Sequence, residues 1–163
     1  MGSILETCAS APRQQFAPGA VLLLEGERSG RLYILAEGSV EILRGETQVA
    51  LVDEVGSVFG EMSVLLDRPH TATVRAASPV GAFVVEDAAS FLKSNPEIAF
   101  SLGRILAERL NAATGYLADL KRQFEGQRNH LGMVGEVLET LLNHQRRGEQ
   151  VKPGPTRDDD PRL

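Results

Sequence analysis

Between residues 16 and 88 the chain breaks into short apolar runs that no helix-length segment interrupts. They read VLLLEG, LYILAEG, VEILRG, VALVDEVG, VFG, TATVRA and VGAFVVE. The runs favour Val, Leu, Ile and aromatics, and glycines at 19, 26, 38, 45, 56, 60 and 81 punctuate them. Short strands joined by glycine-bearing turns build antiparallel sandwiches or barrels. A parallel sheet would need helical crossovers, and there is no room for them here. Arg44-Gly45-Glu46 reads as a hairpin turn and Pro18-Gly19 as another turn.

Beyond residue 88 the period changes. Asn95 is placed to cap a helix, with Pro96 at its first position and Glu97 in its first turn. Ile98, Leu102, Ile105, Leu106 and Leu110 follow at helical spacing. Leu110, Ala113, Leu117, Leu120 and Phe124 then alternate steps of four and three. The rhythm resumes at Leu131, Val134, Leu138 and Leu141. A seam of this kind wants a partner helix. Gly126, Gly132 and Gly135 argue against one continuous helix. The expected arrangement is a long helix to about residue 125 and a second from about 130 to 146. Either these pack on the β region, or the long helix pairs with a second copy; the length of the seam favours the homodimer.

The expected organisation is a polar leader (1–15), a jelly-roll sensory barrel (16–94), a long dimer helix (95–125), an accessory helix (126–147) and a disordered tail (148–163). The tail is rich in Pro, Gly and charge, without periodicity. The fold class is thus mainly β with C-terminal helices: a double-stranded β-helix, or jelly-roll, barrel followed by a long dimerisation helix.

Composition narrows the function classes. The net charge of -5 gives no long-range field for nucleic acid. No run reaches the length of about 18 apolar residues that spans a membrane. The N-terminus lacks a basic segment followed by a long apolar stretch, so no secretory signal is expected and a cytoplasmic location is. Cys8, the only cysteine, is expected as a free thiol in a loose terminus. His70, His130 and His144 are dispersed without metal-ligand spacing. No phosphate-loop or dinucleotide motif occurs and no catalytic constellation stands out, so the chain is not expected to be an enzyme.

Phe16-Ala17-Pro18-Gly19, Glu25-Gly26, the segment from Leu32 to Val40 and above all FGEMSVLLDRPHTATVRA from Phe59 to Ala76 resemble the cyclic-nucleotide-binding domain family. The likeness is to regulators of the bacterial catabolite-activator type, and Leu106-Ala107-Glu108-Arg109-Leu110 resembles the start of their central dimer helix. The 59–76 segment is similar to the family's phosphate-binding cassette. The resemblance implies cyclic AMP or cyclic GMP as effector, and no cofactor or metal. It implies a ligand site of Phe59, Gly60, Glu61, Met62, His70, Thr71, Ala72 and Thr114. Backbone N–H groups near Gly60 and the short helix behind it suit a phosphate. By the resemblance, Glu61 accepts from the ribose 2′-hydroxyl and Thr114 touches the purine; otherwise Glu61 is a surface carboxylate and Thr114 part of the helix surface or seam.

His70 departs from the pattern, since an arginine stands there in members that bind cyclic AMP or cyclic GMP. Arginine offers a permanent charge and a bidentate fork, whereas histidine is charged only near or below its ordinary pKa of about 6.5. Losing a charge-assisted bond to a buried anion costs on the order of 1.5 to 3 kcal/mol, roughly tenfold to more than a hundredfold in affinity. Arg68 and Arg75 are the candidates to compensate. The expected function is a stand-alone regulatory module that binds the nucleotide weakly and signals through its dimer helices to a protein partner, docked on the 131–146 helix. The alternative is a dimerising interaction scaffold with a degenerate pocket. A helix-turn-helix domain, which the family's transcription factors carry after the dimer helix, is not complete here, so direct DNA binding is not expected.

Overall fold

The computed structural model describes residues 4–124 and 128–143. The expected tail at 148–163 lies outside the described residues, as does His144. Two compact units divide between Gly103 and Arg104.

The first unit runs α1 (Ile4–Cys8), β1 (Arg13–Phe16), β2 (Val21–Leu23), β3 (Leu32–Glu37), β4 (Val40–Arg44), β5 (Thr47–Val52), β6 (Val58–Phe59), α2 (Glu61–Leu66), β7 (Thr73–Ala76), β8 (Val80–Val85) and α3 (Ala88–Ser94), then enters α4 (Pro96–Gln123). The strands form two four-stranded sheets, ordered β1-β8-β3-β6 and β2-β7-β4-β5. Every pairing is antiparallel.

The expected closed jelly-roll barrel is corrected by this topology. A β-rich region with C-terminal helices forms, but the two sheets stay open and do not pair with each other. The reason is visible at β6. It holds β3 through only two residue pairs, Tyr33↔Phe59 and Ile34↔Val58, before Gly60 turns the chain into α2. A helix therefore stands where a closing strand would have to continue. Register shifts in the β2–β7, β3–β8 and β4–β5 pairings also bend the strands locally.

Leu22, Leu23, Tyr33, Leu35, Val40, Phe59, Val74, Ala76, Val80, Ala82 and Val84 fill the core. Strand β3 is buried on both faces, which explains its unalternating run Leu32-Tyr33-Ile34-Leu35. Tyr33 and Leu35 belong to the core. Leu32 and Ile34 line a void of about 10 Å³ with Ile4, Cys8, Leu92 and Ile98. Helices α1, α3 and the first turns of α4 thus cover that other face. Cys8, expected in a loose terminus, is 1% exposed, and burial pushes its thiol pKa up.

Gly45 sits in the tight turn between Arg44 and Thr47, the last pair of the β4–β5 ladder. At Pro18-Gly19 the Ala20 N–H bonds the Ala17 carbonyl at 3.0 Å. Helix α3 begins at Asp87, whose side chain accepts from the Ser90 N–H. Asn95 acts otherwise than expected. Its side-chain amide donates to the Phe91 carbonyl at 2.8 Å, closing the end of α3, while its own carbonyl accepts from Ile98 and Ala99 to start α4. Pro96 is the first residue of α4, as its missing N–H favours.

In the second unit α4 continues to Gln123 and α5 spans Arg128–Asn143. Val134, Gly135, Leu138 and Leu141 are half-buried at helical spacing, and Met133, Val137 and Leu142 are exposed. A Cβ on Gly135 would lie 3.8 Å from Lys121 Nζ, so the two helices approach there. Among the described residues no helix is long and apolar enough to cross a membrane.

Candidate functional site

The 59–76 segment leaves the sheet at Phe59, turns at Gly60, forms α2 and re-enters as β7. Phe59 and Glu61 are buried, Gly60 and Ala72 half-buried, and Met62 and Thr71 exposed. Glu61 is the first residue of α2 and 6% exposed, so it is no surface carboxylate. Ser63, also buried, donates to the Arg68 carbonyl and closes the loop behind α2. Thr114 lies on α4 in the second unit and is half-buried.

Both ends of the segment rest on the loop between β2 and β3. A Cβ on Gly60 would meet the Arg31 carbonyl oxygen at 2.5 Å and Leu23 Cδ1 at 3.3 Å. At the other end the His70 N–H donates to the Glu27 carbonyl at 2.9 Å, and the Gly26 N–H donates to the His70 carbonyl at 2.8 Å. The His70 side chain is 5% exposed, with Nε2 2.8 Å from Ser29 Oγ. Ser29 Oγ also accepts from the Arg31 N–H at 3.2 Å.

Sequence reasoning missed Ser29. Nothing in a short polar loop marks one hydroxyl as the partner of a histidine 41 positions away.

Burial lowers the His70 pKa, and the Glu27 carboxylate only partly opposes this. Burial thus favours the neutral imidazole. With the folded pKa below the unfolded value of about 6.5, the unfolded chain takes the proton first as pH falls. The stabilisation is complete above about pH 6.5 and is lost toward the lower folded pKa. A thermal melt series from pH 8 to pH 5 should therefore show wild type losing more stability than His70→Gln. Equal slopes would mean that His70 is not held neutral.

Of the two arginines expected to compensate, Arg75 is turned to the outward face of its strand. Arg75 alternates with Val74 and Ala76, both in the core, and so projects from the opposite face of β7. Its Nε bonds Glu41 Oε1 at 2.6 Å. Arg68 lines a cleft of about 250 Å³ with Arg28, Ser63, Asp67 and Asp87.

The inner face of the second sheet stays partly open at its β5 edge. Ile42 and Ala50 pair across the strands on the same face as Val74, and both are only half-buried, like Val52. This leaves an apolar floor at the sheet edge. Among the described residues no group of three or more His, Cys, Asp or Glu is placed to hold a metal.

The model of the cyclic nucleotide-binding domain matches residues 13–93. A CRP-like cAMP-activated global transcriptional regulator of Mycobacterium tuberculosis is 33% identical over 111 residues, covering 64% of this chain and 50% of that protein. The chain thus spans half the length of this curated relative. The crystal structure of the N-terminal domain of a transcriptional regulator from Streptomyces coelicolor A3(2) is 33% identical with a TM-score of 0.50, covering 66% of this chain and 81% of that one. Thermus thermophilus catabolite activator protein shares the fold, with a TM-score of 0.60 at 21% identity over 91% of this chain and 84% of its own. These relatives are regulators rather than catalysts. The buried Glu61 at the head of α2, the family model over 13–93 and a 33% identical relative covered over 81% of its length agree: the chain belongs to the cyclic nucleotide-binding domain family.

Proposed function

We propose that the chain is a regulatory module whose 59–76 segment binds a purine nucleotide effector, cyclic AMP or cyclic GMP, weakly. Occupancy passes through the helices to a partner in the cytoplasm. The observation that carries this reading is the buried Glu61 at the start of α2, behind a glycine whose shape nothing else fits. A carboxylate there is a strong acceptor for the ribose 2′-hydroxyl. Backbone N–H groups around Gly60 and the Thr71-Ala72 step face the phosphate, Phe59 and Met62 flank the turn, and Ile42, Ala50 and Val52 offer apolar area to the base.

The helices fit a second copy. Leu110, Ala113, Leu117 and Leu120 repeat on α4, and Leu110 is 44% exposed. Exposed Met133, Val137 and Leu142 on α5 suit a protein partner. A ligand shifts such a pair only by its difference in affinity for the two helix arrangements.

The test is calorimetric titration of the chain with cyclic AMP and cyclic GMP, repeated on Glu61→Gln, with mass read by light scattering. Replacing the carboxylate should weaken binding by about tenfold to a hundredfold while the dimer mass stays unchanged. Saturable binding indifferent to the substitution would remove Glu61 from the site. A second reading, a dimerising scaffold that takes no nucleotide, is favoured by one observation: His70 is turned to Ser29. It predicts an intact dimer and no heat with any nucleotide.

A further inference from the structure

Within the second unit α5 turns back along α4. Lys121 and Gly135 would stand about 21 Å apart on one straight helix, yet a Cβ on Gly135 would lie 3.8 Å from Lys121 Nζ. Half-buried residues mark the face that each helix turns to the other. They are Thr114, Leu117 and Ala118 on α4, and Val134, Leu138 and Leu141 on α5. Leu117, a member of the regular seam on α4, is thus partly covered within the chain.

A second stripe on each helix stays open. At about 100° per residue, Ala113, Tyr116, Leu120 and Phe124 fall roughly 90° to one side of the α4 contact face. Met133 and Val137 fall roughly 110° from the α5 contact face. Counted from the N-terminus of its own helix, each stripe is displaced in the same rotational sense. In two antiparallel helices that sense brings both stripes to the same side of the pair. They join into one apolar surface, on which Tyr116, Phe124, Met133 and Val137 are exposed.

Charge and area point to what covers this surface. A face that packs on a copy of itself meets its own charges, and the chain carries a net charge of -5. A self-interface must therefore leave the carboxylates out. Between 113 and 124 the charged residues are Asp119, Lys121 and Arg122, all roughly 90° or more from the α4 stripe. On α5, Glu136 and Glu139 lie roughly 80° or more from Met133 and Val137 taken together. Large apolar side chains each remove on the order of 100 Å² from water. The α4 stripe alone then buries roughly 600 Å² over two copies, the size of a crystal contact. With Met133 and Val137 the total reaches about 1,000 Å², where specific interfaces begin.

We propose that the homodimer is a four-helix assembly, in which Met133 and Val137 of α5 pack on the second copy beside Tyr116 and Phe124 of α4. This rests on the reading of the chain as a dimer, and it names a second copy as the partner of α5.

The experiment is sedimentation of the full chain over a concentration series, with helix content read by circular dichroism. In the double variant Met133→Glu, Val137→Glu, dimerisation should weaken by about a hundredfold or more, because carboxylates then lie unpaired in the interface. Leu142→Glu is the control. Leu142 is 65% exposed, much as Met133 is at 68%, but it lies roughly 160° around α5 from the stripe. Its dimer should be unchanged. Wild type supplies a readout that decides the matter even if the double variant loses its helices. Dilute peroxide converts exposed methionines to the sulfoxide. Met62 is 45% exposed, less than Met133. In the dimer Met133 should nevertheless oxidise at least about threefold more slowly than Met62, and dilution to monomer should reverse that order. A dimer that survives the double substitution, one lost equally in Leu142→Glu, or one whose Met133 reacts as fast as in the monomer overturns the proposal and leaves the dimer reading intact. A wild-type chain that stays monomeric at millimolar concentration overturns both.

Discussion

Gly60→Ala is expected to lower stability by about 2 to 5 kcal/mol, combining the left-handed backbone penalty with overpacking. Gly60 has φ +92. An added Cβ would meet a backbone carbonyl oxygen, that of Arg31, at 2.5 Å. A carbonyl in a packed loop cannot swing aside as the end of a side chain can. The strain must move either the β2–β3 loop or the start of α2, where Glu61 of the proposed site stands. Thermal melts should show a fall of roughly 5 to 15 °C for a chain of this size. Gly115→Ala is the control. Gly115 lies within α4, and a Cβ there meets nothing within 4 Å. Helix propensity then stabilises by about 0.5 to 1 kcal/mol. If the two substitutions shift the melt equally, the space behind Gly60 is not as tight as its contacts imply.

The contrast between these two glycines shows what a sequence can carry. Local features are readable: the turns at Gly19 and Gly45, the start of α4 at Pro96, and the segment from Phe59 to Ala76 as one unit around a short helix. Each depends on a few neighbouring residues. The features that escape are made by distant ones. Whether two sheets close into a barrel depends on how the chain leaves β6, and a two-residue strand looks the same in sequence whether it continues or gives way to α2. Helix α1 is five residues long, too short for a period, so the burial of Cys8 against β3 leaves no signal. Asn95 does stand at a helix boundary, but its amide serves the helix before it. Sequence separates the two caps poorly because both need a small polar side chain at one position. His70 stands out as a departure. Its partner Ser29, and the outward turn of Arg75 to Glu41, become legible only when the strands are laid side by side.

The two-faced burial of β3 makes Leu35→Ala the second large effect. Leu35 is 0% exposed and sits in the core among the inner faces of both sheets. Its backbone is held as well: its N–H donates to the Ser57 carbonyl at 2.9 Å and its carbonyl accepts from the Gly56 N–H at 2.8 Å. With the backbone pinned on the side where β6 begins, the surroundings can collapse only partly into the space left by the missing side chain. Leucine-to-alanine changes at such sites cost about 2 to 5 kcal/mol, the larger figures belonging to cavities that stay open. Leu51→Ala supplies the comparison, since Leu51 is 60% exposed at the edge of the second sheet; a surface change there should stay within about 0.5 kcal/mol. Urea unfolding should show a lower midpoint for Leu35→Ala with an unchanged slope, because the surface exposed on unfolding is nearly the same. A domain of ordinary stability has only about 5 to 15 kcal/mol to lose, so this one side chain governs a large share of it. A cost below about 1 kcal/mol for Leu35→Ala, well under the usual range for a buried leucine, would mean that the helices covering the other face of β3, rather than the contact between the sheets, hold the first unit together.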